Sequence, residues 1–175
     1  MEEIKMRTEY SPDIAFREVQ YFRQIWIWLV ILFIAGSMWY TVISRLVGRP
    51  LGDEPMPAAM LIIFWLLFGI GLPLIAFYAR LITEVRNDGV YFRYIPFHFS
   101  FRRILFSEIK NYTARTYRPL WEYGGWGIRY NLRGGWAYNV SGNRGVQFEL
   151  INGRRILLGS QQPEALAQAI AGQIK

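Results

Sequence analysis

The sequence contains no cysteine and a single histidine, His98. The first absence excludes disulfides, thiolate nucleophiles and cysteine-ligated metals, and it leaves the redox compartment open. The second leaves imidazole chemistry to one ring, which stands beside Pro96, Phe97 and Phe99, the setting of a packed or surface residue. No pair of acids, no Ser-His-Asp set and no cluster of ligating side chains stands out. The chain therefore reads as non-enzymatic, with no cofactor or metal expected.

Charge is also missing, over two long stretches. Residues 24–44 and 55–79 carry none. A helix crosses the roughly 30 Å hydrocarbon layer in about 20 residues, so each run is long enough to span it. Hydrophobic residues make up 53% of the chain and aromatics 17%, more than a soluble core of this size uses. The uncharged spans argue against an ion or proton pathway through them. A cleaved leader is not expected, because residues 1–24 are polar and Met38, Trp39 and Tyr40 occupy the place of a small-residue cleavage site.

These runs predict five segments: an amphipathic N-terminal segment at 1–24, transmembrane helices at 25–44 and 58–79, a short external loop at 45–57, and a strand-rich domain at 80–175. Lys5, Arg7, Arg17 and Arg23 precede the first span, and Arg80, Arg86 and Arg93 follow the second, whereas the loop holds only Arg45 and Arg49. That asymmetry predicts cytoplasmic termini. Residues 80–175 carry fourteen basic and six acidic side chains, so the whole positive excess of a chain with net charge +7 sits there. Beside an anionic leaflet each such cation is worth about 1 kcal/mol. A merely solvated basic face is the alternative. Nucleic acid is not an expected partner, since a membrane tether restricts access to it.

Ser11-Pro12-Asp13 has the residue order of a helix start. Ile14, Phe16, Val19, Tyr21 and Phe22 then interleave with Arg17, Glu18, Gln20 and Arg23, which predicts a helix entering the membrane through the headgroups. Trp26 and Trp28 at one end and Trp39 and Tyr40 at the other fit interfacial belts. Gly48, Pro50, Gly52, Pro55 and Pro57 make the connection a tight turn and the helices an antiparallel hairpin. Gly69-Ile70-Gly71-Leu72-Pro73 predicts a kink and a close helix contact.

Beyond Arg80 the pattern shortens and alternates. Strands are predicted at 81–86, 90–95, 101–105, 109–116, 127–131, 137–140, 146–151 and 154–158. Asn87-Asp88-Gly89 forms a hairpin turn in which glycine supplies positive φ, and Arg133-Gly134-Gly135, Ser141-Gly142-Asn143 and Asn152-Gly153 are further turns. Short strands at this spacing suggest a small barrel or sandwich. A final helix at 163–174 places Leu166, Ile170 and Ile174 on one face, suited to plugging an open barrel end.

Glu84-Val85-Arg86-Asn87-Asp88-Gly89-Val90-Tyr91-Phe92-Arg93, Tyr123-Gly124-Gly125-Trp126-Gly127-Ile128-Arg129, Ala137-Tyr138-Asn139-Val140-Ser141-Gly142-Asn143-Arg144-Gly145-Val146 and Leu158-Gly159-Ser160-Gln161-Gln162-Pro163-Glu164 together carry a resemblance. With two preceding spans, the chain resembles bacterial membrane-anchored pleckstrin-homology-like (PH-like) domain proteins. The resemblance implies an α+β membrane protein of the bacterial plasma membrane: a two-helix hairpin, then a PH-like bent barrel of about seven strands capped by a C-terminal helix. It implies a binding or scaffolding role, through self-association or a protein partner, and carries over neither a catalytic nor a phosphoinositide site.

Trp121, Tyr123 and Trp126 lie among Gly124, Gly125 and Gly127, followed by Arg129. That composition suits either a backbone-lined groove for a ligand or peptide, or a tight loop whose aromatics pack on the domain or enter the membrane interface. Ser141-Gly142-Asn143-Arg144-Gly145 suits either an anion-binding nest or a hairpin turn. The candidate binding set is Trp121, Tyr123, Trp126, Arg129, Tyr138, Asn143 and Arg144. Its occupant is a protein partner or second copy, or alternatively an anionic lipid headgroup or small anion. An accessory role in an envelope transport or stress complex is the third reading.

Overall fold

The computed structural model describes residues 14–49, 51–52 and 56–174. The chain divides into a helical unit, Phe22–Ala79, and a strand unit made of residues 14–21 together with those from Arg80 onward.

In the helical unit, α1 (Ile25–Leu46) and α2 (Ala58–Tyr78) are each long and apolar enough to cross a membrane. Most of their apolar side chains are exposed, Phe33 and Phe77 among them, as in helices whose solvent is hydrocarbon rather than a protein core. The Arg45 guanidinium donates to the Met56 carbonyl and ties the two ends of the connection together. The glycine and proline of the 69–73 stretch act through a π-helical segment, Trp65–Gly71, just before Pro73. Widening the helix there accommodates the donor that proline lacks. The expected close contact forms at Gly69. The Trp39 indole N–H donates to its carbonyl at 3.2 Å, and the Trp39 and Trp65 rings meet edge to face at 5.0 Å. A Cβ on Gly69 would stand 2.8 Å from Trp65 and 3.5 Å from Met38, so only glycine fits the contact.

The strand unit corrects the reading of the N-terminal segment. Ser11-Pro12-Asp13 lies outside the described residues, but Ile14–Tyr21 is a strand, β1, not a helix. It pairs antiparallel with β2 (Arg80–Arg86), Tyr21 opposite Arg80. Pairing with a neighbour wins over the helical pattern because alternate residues turn inward, and the two that are buried, Glu18 and Gln20, are hydrogen-bonded there. The helical unit is thus an insertion between two adjacent strands.

All eight predicted strands form. After β2 come β3 (Gly89–Ile95), β4 (Arg102–Leu105), β5 (Ile109–Thr116), β6 (Gly127–Asn131), β7 (Gly135–Asn139), β8 (Arg144–Leu150) and β9 (Arg155–Gly159). They make two sheets, β1-β2-β3-β4 and β5-β8-β9-β7-β6. Among the described residues no ladder joins β4 to β5, so the sheets do not close into the expected barrel. A 3₁₀ turn, Phe106–Glu108, separates these two strands, and β5 pairs with β8 at the edge of the second sheet. The β2–β3 turn also differs in detail: Gly89 does not take positive φ. It is glycine because a Cβ would run into the Ile104 carbonyl of β4.

Two short helices complete the unit, α3 (Pro119–Tyr123) and α4 (Pro163–Gln173). Helix α4 packs on β1 and β2 of one sheet and β5 and β8 of the other, bridging both. Leu166 and Ile170 are fully buried, whereas Ile174 is 41% exposed and lies past the helix end, off the apolar face expected of it. The core below is aliphatic and aromatic: Leu81, Val85, Val90, Phe92, Val146, Phe148, Leu157 and Leu158.

Candidate functional site

Pairing across the five-stranded sheet aligns polar side chains that are far apart in sequence. Asn111 pairs with Glu149 and Glu149 with Arg155; one step along, Thr113 pairs with Gln147. Helix α3 and the β6–β7 turn stand over this face and leave a cleft of about 500 Å³, lined by these residues with Arg115, Trp121, Glu122, Tyr123, Asn131 and Arg133.

Each wall has a local cause. Pro119 starts α3, and Gly124 ends it in the left-handed conformation at φ 70°. The Glu122 carboxylate accepts the Arg118 backbone N–H at 2.8 Å and binds the Arg115 guanidinium at 2.6 Å, which anchors the helix to β5. Asn131 donates to the Glu122 carbonyl from the opposite wall. The Tyr123 hydroxyl lies 3.3 Å from both the Gly134 carbonyl and Gln147 Oε1. Gly135 has φ 73°, and a side chain there would collide with the Arg155 carbonyl, so the turn closes tightly on β9.

The electrostatics keep Arg115 and Glu122 charged and Tyr123 neutral. Burial opposes the Arg115 charge, but the Glu122 carboxylate outweighs it and holds the guanidinium above its ordinary range. Burial likewise opposes the Glu122 charge, and the Arg118 backbone N–H and Arg115 reverse the effect, holding the carboxyl below its usual value. Burial raises the Tyr123 phenol, so it stays protonated at neutral pH. Arg155 reaches Glu149 at 3.5 Å and donates to the Arg133 carbonyl at 3.2 Å. The Arg133 side chain is exposed at the rim, where three arginines face two glutamates. Among the described residues no group of His, Asp and Glu is placed to hold a metal ion.

The predicted set does not converge on one place. Trp121, 87% exposed, and Tyr123 belong to this cleft. Trp126 and Arg129 line a smaller one, about 260 Å³, with Tyr94, Phe97, Gly127 and Ile128. There the Trp126 indole donates to the Gly142 carbonyl at 2.7 Å, and Arg129 Nε donates to the Trp126 carbonyl at 3.0 Å. Tyr138 is buried between Phe92, His98 and Trp136, its hydroxyl accepting from Arg102 at 3.1 Å. Asn143 and Arg144 form the turn into β8. The Asn143 carbonyl accepts the Tyr117 N–H at 2.8 Å, and Arg144 pairs with Glu164 of α4, while both residues are exposed.

The family that matches residues 7–175 is described as a family of unknown function, DUF6141. The chain belongs to this family. No curated protein and no solved structure matches it. In this DUF6141 chain, the residues missed by sequence reasoning are Asn111, Thr113 and Arg115 on β5, Gln147 and Glu149 on β8, and Arg155 on β9. Their polar alternation is visible in sequence, but only strand register brings them to one face.

Proposed function

We propose that the chain is a non-enzymatic, membrane-anchored interaction module of PH-like type, whose Trp121 cleft takes a polar segment of a protein partner or of a second copy. The observation that carries this reading is Trp121 itself. A tryptophan left 87% exposed at the mouth of a polar cleft is an anchor without its cover, and burying its ring is the largest apolar gain available there.

Anchoring rests on α1 and α2, and the pairing of β1 with β2 supports placing both ends of the chain on one side of the bilayer. The loop arginines are fewer than those flanking the spans, which favours the cytoplasmic side of a bacterial plasma membrane.

A photo-crosslinking residue placed at Trp121 in the full chain, in native membranes, tests the reading. A discrete adduct is expected there, absent when the probe is at Ile151, and lost when Thr113→Trp fills the cleft. A monomer with no adduct at either position would remove the proposal.

A further inference from the structure

The loop from β3 to β4, residues 96–101, presents two phenylalanines to solvent, Phe97 at 56% and Phe99 at 93% exposure. The segment is not loose. His98 between them is buried; its Nδ1 accepts the Tyr94 N–H at 3.2 Å, its own N–H donates to the Tyr94 carbonyl at 2.8 Å, and its carbonyl accepts Arg93 Nε at 3.0 Å. A loop fixed by three hydrogen bonds holds both rings outward at the cost of apolar exposure, which marks a contact surface.

Strand register says where this loop lies in the sheet. Tyr21 pairs with Arg80 and Arg80 with Ile95, so the loop that follows Ile95 is at the end where the chain leaves β1 for α1 and returns from α2 into β2. The Asn87-Asp88 turn is at the other end. Exposed Arg102 follows the loop, half-buried Arg93 precedes it, and exposed Arg129 shares the small cleft with Phe97.

From these observations we infer that Phe97 and Phe99 insert into the interfacial layer of an anionic lipid surface, with Arg93, Arg102 and Arg129 at headgroup level. The rings gain an apolar solvent, and the guanidiniums meet phosphate oxygens at the same depth. The contact gives the strand unit a second attachment to the bilayer and a fixed orientation on it. The inference rests on reading α1 and α2 as membrane spans.

The cysteine-free sequence allows a direct test. Phe99→Cys, Asp88→Cys and Phe33→Cys, each labelled with an environment-sensitive nitrobenzoxadiazole, are compared in full-length protein in nanodiscs carrying spin-labelled lipid, with and without phosphatidylglycerol. Strong quenching is expected at position 33 in both lipids. At position 99 quenching is expected to be several-fold stronger than at position 88, and to weaken in pure phosphatidylcholine. Quenching at 33 with none at 99, equal quenching at 99 and 88, or no response at 99 to anionic lipid would each overturn the loop contact while leaving the anchor intact. No quenching at 33 would remove the anchor and the loop contact together. Adduct formation at Trp121 is a separate readout of the cleft.

Discussion

The Glu18 carboxylate accepts a hydrogen bond from the Ser160 hydroxyl at 2.6 Å across 142 positions of sequence, and its other oxygen accepts the Gln161 N–H at 2.7 Å. A strand that precedes the helical insertion is thereby fastened to the turn that starts α4. Gln20, one alternation further, donates to the Gly159 carbonyl at 2.6 Å. These polar contacts join β1 to the end of β9 and to the turn that follows it.

Removing that carboxylate exposes the dependence. Glu18→Leu leaves the buried Ser160 hydroxyl proton and the part-buried Gln161 N–H without their acceptor and is expected to cost about 2–3 kcal/mol, with Ser160→Ala costing about 1 kcal/mol. In chemical denaturation of the full chain in detergent, the double variant should lose less than the two single losses combined. Additive losses would mean the two groups do not act as one contact.

Two glycines with similar backbones separate strain from collision. Gly135 and Gly153 have φ of 73° and 79°, but only at Gly135 does a new Cβ meet backbone, the Arg155 carbonyl. Gly153→Ala is expected to cost about 1 kcal/mol for the left-handed conformation alone. Gly135→Ala should cost clearly more and distort the cleft, which thermal melts and Trp121 emission would record.

His98 makes the β3–β4 loop sensitive to acid. Burial, reinforced by the Arg102 charge, lowers its pKa below the ordinary 6.5. Between the lowered folded value and the unfolded one, the unfolded chain binds more protons, so stability rises with pH in that window. The contribution is complete above about pH 6.5 and is lost as pH falls through the folded value. His98→Gln should flatten this part of a stability–pH profile. An unchanged slope would place the titration elsewhere.

In the helical unit, Trp39→Phe removes the indole donor to the Gly69 carbonyl and is expected to cost about 0.5–1.5 kcal/mol. Gly69→Val places a branched side chain against Trp65 and should cost more. Denaturant titration of near-ultraviolet circular dichroism in mild detergent would rank them, and a larger effect for Trp39→Phe would contradict the packing.

Local composition was enough for much of this chain. Residues 24–44 and 55–79 read as membrane-length helices because a run without charge needs no distant partner to be recognised. The strands around Asn87-Asp88, Ser141-Gly142-Asn143 and Asn152-Gly153 were legible for a similar reason: turn residues and alternation act over a few positions. Tertiary structure alone decided three things. Residues 14–21 became a strand because their buried positions are polar, and among the described residues Glu18 and Gln20 meet their side-chain partners on Gly159, Ser160 and Gln161. The sheets stayed open because the 3₁₀ turn at Phe106–Glu108 separates β4 from β5, and no ladder joins them among the described residues. The cleft exists because register sets Asn111, Glu149 and Arg155 in one row beneath Trp121, a relation between strands that no single segment encodes.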